Sequence, residues 1–270
     1  MTVAAEPGPR PGARPFASAL GALRGPALVT LAILVLWQLA HELAGDVAIT
    51  APAPTLAHLV EMVGQARFLP HLAETAAAFG QALLIAWTGG VLIGLSLGGS
   101  RLAGEAAEPV LVTLYSIPKV TLYPVILLLF GLGMQAKVAF GAFHGIIPVA
   151  LFTLNAVRNI PAVQIRAARA LRLSPAQRAR HVLLPAALPE VFAGLRLGFS
   201  LTLLGSMLGE LFASQRGLGF LLMKAIDLHD VETILAIAVL ISIFAVGANI
   251  GLLAIDRRLR RGAAPAGHGA

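Results

Sequence analysis

Cysteine is absent from all 270 residues, which excludes disulfides, thiolate metal sites and cysteine nucleophiles together. Charge is scarce: 12% of residues are charged, against roughly 25% in a typical soluble domain. No Gly-Lys dipeptide occurs, so no G-x-x-x-x-G-K-[ST] loop can cradle nucleotide phosphates and the chain has no ATPase site of that kind. The seven histidines are scattered with no H-E-x-x-H run, which leaves metal-assisted hydrolysis without a ligand set. Gly205-Ser206 likewise has no histidine placed to activate a serine nucleophile.

What the chain has instead is apolar sequence, 57% hydrophobic with a mean hydropathy of +0.83. Apolar runs long enough to cross a bilayer lie near Pro26–Ala44, Thr75–Gly99, Ala106–Gly133, Ala136–Ala156, Val191–Phe212 and Thr233–Asp256, each limited by polar or Pro/Gly punctuation. The expectation is an all-α polytopic membrane protein with about six spans. Its parts would be an N-terminal tail over 1–25, a membrane domain over 26–258 and a C-terminal tail over 259–270. A cleaved leader is disfavoured, because the first run is too long and no A-x-A site follows it. The third run exceeds one bilayer and carries Pro118 and Pro124, which predicts a break with irregular backbone over 116–124.

The placement of charge orients these helices. With the N-terminus in the cytoplasm, the inner side receives 14 of the 20 Lys and Arg residues, and the outer loops hold Glu42, Asp46, Glu61, Glu74, Asp227, Asp230 and Glu232. The positive-inside rule therefore gives both termini cytoplasmic. Glycines recur four apart at 90, 94 and 98, at 141 and 145, at 194 and 198, at 205 and 209, and at 247 and 251. Such spacing lets helix backbones approach closely, within or between subunits.

The most basic segment, 158–190, lies between the fourth and fifth of these runs. On a helical wheel Arg166, Arg169 and Arg172 share one third of the circumference opposite Val163, Ala167, Ala168, Ala170 and Leu171, the pattern of a short amphipathic helix. Ser174-Pro175-Ala176-Gln177 then reads as a capping box with proline at the first helical position. The second helix it opens carries Arg178, Arg180 and His181 and should stop near Leu184, before Pro185 and Pro189. A basic helix pair of this kind suits anionic lipid headgroups or a cytoplasmic partner equally. It is too short and too tethered for a DNA-reading unit, so nucleic acid is not expected as a partner.

Ala167 and Ala168, the VLLP of Val182–Pro185, Pro189 and the GLR of Gly194–Arg196 resemble the cytoplasmic EAA loop of binding-protein-dependent ABC importer permeases. WQLA from Trp37, PAPT from Pro52, IPKVTLYPVILLLFGLG from Ile117 and GELFASQRGLGFL from Gly209 resemble the aliphatic sulfonate, nitrate and taurine branch, in the same order over most of 37–259. The chain departs from the motif at Arg166, where the family usually has Glu, and at Arg172, where it usually has Gly. The resemblance implies a MetI-like permease fold in a bacterial inner membrane. It further implies a pore of two permease copies, a cytoplasmic ABC ATPase dimer, and a periplasmic or lipid-anchored solute-binding protein. No cofactor is implied, and the solute would be small and anionic.

The ATPase-coupling residues implied by this resemblance are Arg166, Ala167, Ala168, Arg169, Arg172, Ser174, Pro175, Gln177, Leu184 and Pro185, within a 161–185 loop. Ionisable or polar groups in the spans are candidates for the solute pathway. Lys119 could meet an anion or snorkel to the surface, and His144 could touch solute or bridge helices. Glu210 could gate, although an interfacial position is the simpler expectation. Tyr115, Ser116, Tyr123 and Asn155 are possible cavity liners, and Gly217-Leu218-Gly219 introduces a short outer helix. The alternative is an ion-coupled secondary transporter or channel without an ATPase. That class would be expected to show internal repeats and intramembrane acidic sites, neither of which is evident.

Overall fold

The computed structural model describes residues 15–263. The chain divides into two units, Met1–Ala57 and His58–Ala270. In the first, helix α1 (Pro15–Ala44) is continuous through Pro26 and begins ahead of the expected span. Gly45, at φ +78°, turns the chain after it. Trp37 Nε1 donates to the Thr50 carbonyl at 2.9 Å and His41 Nδ1 lies 2.7 Å from the Ile49 carbonyl, so one face of α1 holds the returning chain. Helix α2 (Pro52–Gly64) follows, where the sequence suggested only an outer loop, and crosses from the first unit to the second.

The second unit continues with α3 (Leu69–Gly98), α4 (Arg101–Ser116), a 3-10 turn (Lys119–Leu122), α5 (Tyr123–Phe130) and α6 (Met134–Arg158). Next come α7 (Ala162–Ala170), α8 (Pro175–Arg178), a π-helical turn (Ala179–Leu183), α9 (Leu184–Ala213), α10 (Leu218–Asp227) and α11 (Val231–Ala263). Among the described residues, five helices are long and apolar enough to cross a membrane, or six if α4 and the 119–130 segment, bent by 88°, count as one broken span. The break falls at Ile117-Pro118, which have extended backbone. Pro124 does not prolong it: it sits in the first turn of α5, where the missing amide would have had no helical partner.

Helices α3, α6 and α9 form the centre, and the spaced glycines explain why. A side chain at Gly90, Gly94 or Gly98 would strike Val149, Thr153 or Val157 of α6. One at Gly141 or Gly145 would strike Ser206 or Thr202 of α9, and one at Gly194 or Gly198 would strike Phe152 or Val149. The fifth set differs, since Gly247 and Gly251 on α11 face open space. An apolar cluster that includes Met62, Phe79, Phe199, Leu203, Met207 and Ile237 fills the side of this core toward α2 and α11. Trp87 Nε1 ties α3 to the Leu195 carbonyl of α9 at 3.0 Å.

The expected stop at Leu184 is overturned. From Pro175 to Ala213 the chain is helical throughout, passing Pro185 and Pro189. Proline clashes with the carbonyl four residues back and lacks its own donor. The π turn at Ala179–Leu183 widens the helix just before Pro185 and absorbs that misfit.

Candidate functional site

At one end of the bundle, α7 and α8 form a basic elbow between α6 and α9. Helix α7 closes with a Schellman motif: Leu173 N–H donates to the Ala168 carbonyl at 3.1 Å and Arg172 N–H to the Arg169 carbonyl at 2.9 Å. Arg172 therefore occupies the left-handed position, at φ +50°, where glycine is the unstrained residue. The capping box then closes in both directions. Ser174 N–H donates to Gln177 Oε1 at 2.9 Å, and Gln177 N–H donates to Ser174 Oγ at 3.3 Å.

Arg166, Ala167, Arg169 and Arg172 are exposed, while Ala168 is buried. Ile165 and Leu183 pack on the cluster of Ala156, Ile160 and Ala187, so the elbow rests its apolar side on the ends of α6 and α9. Pro175 opens α8, and Leu184 and Pro185 are exposed at the start of α9. Next to the elbow, Arg158 at the end of α6 pairs with Glu108 of α4, and its side chain fills the space over Gly104.

The pathway candidates do not converge. Lys119 is held at the elbow of the broken span, its Nζ donating to the Tyr115 carbonyl at 2.8 Å and lying 5.1 Å from the Tyr115 ring. Ser116 bonds back to the Val112 carbonyl, and Asn155 is half-buried on α6. Tyr123 is buried with its hydroxyl on the Gly209 carbonyl at 2.7 Å, and its ring meets Phe140 and Phe212. His144 is buried against Phe140, with Nδ1 2.9 Å from that residue's carbonyl. Its ring occupies the space over Gly205.

Glu210 is not interfacial but fully buried. Its Oε2 accepts from Thr75 Oγ1 at 2.7 Å and from Gly219 N–H at 2.9 Å. Lys137 completes the group. Also buried, it donates to Glu74 Oε1 at 3.0 Å and to the Arg216 carbonyl at 2.8 Å, with Nζ 3.9 Å from Glu210 Oε1. Lys137 stands 21 residues before Arg158 on one helix, roughly 32 Å at 1.5 Å per residue, so this hub lies at the end opposite the elbow. An open cleft of about 750 Å³ lies beside it, bordered by Glu74, Lys137, Arg216, Phe220, Lys224 and Asp227. In sequence Lys137 reads as an outer-loop charge, and its burial depends on partners from α3, α9 and the 214–217 turn that lie far along the chain.

A bundle of apolar helices with one basic helical elbow between spans defines a polytopic helical membrane protein. Residues 90–261 match the family described as "Binding-protein-dependent transport system inner membrane component", and the chain belongs to that family. It is 32% identical over 238 residues to the taurine transport system permease protein TauC of Escherichia coli K12, covering 85% of this chain and 86% of the relative. It is also 32% identical over 204 residues to the riboflavin transport system permease protein RibX of Chloroflexus aurantiacus, covering 75% and 76%. The nitrate import permease protein NrtB of Synechococcus elongatus matches at 29% over 142 residues, covering 53% of this chain and 51% of the relative. Among solved structures, a chain of the MetNI methionine ABC transporter in an inward-facing conformation superposes with a TM-score of 0.57 at 23% identity. That match covers 76% of this chain and 98% of the other, and it fixes the fold as that of an ABC importer permease.

Proposed function

We propose that the chain is the solute-conducting permease subunit of an ABC importer in the sulfonate, taurine and nitrate branch, and that it takes force from a separate ATPase through the 161–185 elbow. The observation that carries this reading is the build of the elbow. A Schellman stop and a capping box fix two helices at a set angle, and the second runs without interruption through the π turn into α9. A push on Arg166 or Arg169 is thereby delivered to a helix about 39 residues long, at the centre of the bundle.

The rest of the assembly follows from family membership. In this reading two ATPase subunits grip the elbows of two permease copies, a solute-binding protein docks at the opposite end, and both termini lie in the cytoplasm, an orientation the arginine distribution supports. The second copy is proposed to pack over the apolar groove of about 710 Å³, whose lining includes Ile85, Leu122, Ile126, Met134, Val138 and Phe143. The solute is a small anion. Lys119, at the break of the bent span, is the cation proposed to meet it, and would exchange its bond to the Tyr115 carbonyl for the solute; Tyr123 and His144 are taken up in packing.

A buried glutamate is also what an ion-coupled transporter would need. The contacts of Glu210 nevertheless go to Thr75, Gly219 and Lys137, all internal groups, which supports a structural assignment. Reconstitution with an ABC ATPase subunit and a solute-binding protein of this branch tests the reading: ATP-dependent uptake of a sulfonate or nitrate is expected. Uptake by the permease alone, driven by an ion gradient, would overturn it.

A further inference from the structure

The start of α10 is capped by other helices. Gly217 N–H donates to His71 Nδ1 at 3.2 Å, Leu218 N–H to Thr75 Oγ1 at 2.7 Å and Gly219 N–H to Glu210 Oε2 at 2.9 Å. The first amides of a helix have no intrahelical acceptors and are usually served by a local side chain. Gly217, at the N-cap position, supplies none. His71 and Thr75 are four apart on α3 and so share a face, and α9 provides the third acceptor. One residue earlier, Lys137 of α6 holds the Arg216 carbonyl. Three helices thus grip one turn of a fourth through its backbone.

We propose that His71, Thr75 and Glu210 are positioning residues of the transport cycle: they fix α10 beside the cleft, and the imidazole makes that grip depend on protonation. The link to transport rests on the permease reading above. A neutral imidazole can accept at Nδ1, but an imidazolium presents only donors, so protonation sets two N–H groups against each other at Gly217. The ring also stacks on Phe220, with centroids 5.8 Å apart and the planes 7° apart, and a flip within that plane would present a C–H rather than an acceptor to Gly217.

The charged and titratable groups around His71 come from every neighbouring element. Glu74 is on its own helix, Arg216 precedes α10 and Lys224 lies on it. His58, Arg67 and Asp230 border the adjoining groove, while Lys137 and Glu210 hold the backbone on either side of Gly217. An imidazolium would face the two cations Arg216 and Lys224, and Glu74 is already paired with Lys137. Thr75 transmits the effect, since its hydroxyl accepts from Leu218 and donates to Glu210.

Amide hydrogen exchange of the 217–222 segment tests this, in the full chain in lipid nanodiscs and corrected for intrinsic pH dependence. Exchange should rise about five-fold between about pH 8 and about pH 4.5, the loss of one net hydrogen bond as the imidazole protonates. In His71→Asn, whose side-chain oxygen accepts without titrating, protection should persist and stay flat with pH. In His71→Leu it should be lost throughout. Flat protection in the unaltered protein, or the same pH response in His71→Asn, would overturn the grip. ATP-driven uptake in vesicles should weaken in acid and become pH-independent in His71→Asn; an uptake profile unmoved by that substitution would overturn the positioning role. Because exchange requires neither ATPase nor solute, its outcome is separable from that of the permease reading, which fails instead if the unaltered protein shows no ATP-driven uptake at any pH.

Discussion

Gly217 lies directly over Glu210: a side chain at 217 would fall on the Glu210 carboxyl group, and Gly217 also holds φ +125°. Gly219 is confined by the same glutamate, because a Cβ there would meet Glu210 Cβ and the Met207 carbonyl. The Gly-Leu-Gly sequence is thus the complement of one buried carboxylate. Gly217→Ala combines a disfavoured backbone with a steric clash and should lose about 1–3 kcal/mol, read as a fall in Tm in detergent. Adding Glu210→Ala should recover the clash but not the backbone strain, so the double variant should be more stable than the two losses added together. Simple additivity would show that the two residues do not share this space.

Lys137 faces two carboxylates from inside the protein. Replacing it with Met leaves Glu74 and Glu210 without their cation and strands the Arg216 carbonyl; removing one partner of a buried pair typically loses about 3–5 kcal/mol. Glu74 is partly exposed, which places the expected loss at the lower end, about 3 kcal/mol. The Lys137→Met, Glu210→Gln double variant should lose markedly less than the summed singles in a double-mutant cycle. A loss below about 1 kcal/mol for Lys137→Met would contradict the buried ionic hub.

Much of the architecture is legible in the sequence because membrane burial writes long apolar runs and close packing writes small residues at intervals of four. The sets at 90–98, 141–145, 194–198 and 205–209 all lie in contacts among α3, α6 and α9 or over His144 and Lys137. The capping box at Ser174–Gln177 is equally local and forms as its residue types require. Two features could not be read in this way. Pro185 signals a helix stop, and only the π turn before it, a response of the whole helix, explains why none occurs. Glu210 and Lys137 are 73 residues apart in sequence; their shared burial is a tertiary fact that neither local window contains. Gly247 and Gly251 carry the same signal as the other sets but have no neighbour in the described residues.

Arg172 and His229 occupy the same backbone position at the ends of α7 and α10. Each follows a Schellman closure with positive φ, +50° and +56°, and Asp230 N–H donates to the Ala225 carbonyl as Leu173 N–H does to Ala168. Glycine at either site removes the left-handed strain, and each substitution should raise stability by about 1 kcal/mol. Only Arg172→Gly lies on the elbow. ATPase affinity, measured by co-purification or surface plasmon resonance, should therefore change with Arg172→Gly and not with His229→Gly. Equal effects of the two on affinity would mean that stability alone governs assembly.

The elbow offers its charge outward while its apolar side rests on the ends of α6 and α9, so charge and support can be perturbed separately. Arg166→Glu and Arg169→Glu alter exposed groups, whereas Ile165 and Leu183 pack on the apolar side of the elbow; unfolding stability should stay within about 0.5 kcal/mol of the parent. Reversing two charges at an interface rim lowers the association rate and its salt dependence. The expected outcome is therefore normal membrane insertion with at least about ten-fold weaker ATPase binding at low salt, a difference that narrows as salt screens the charges. Ile165→Asp makes the converse change, loosening the elbow from α6 and α9 while leaving both arginines in place. If it binds ATPase normally yet transports poorly, the elbow acts as a lever whose rigidity matters beyond its charge. If Arg166→Glu and Arg169→Glu leave both ATPase binding and uptake untouched, the basic face serves lipid headgroups, and the force must enter the bundle elsewhere.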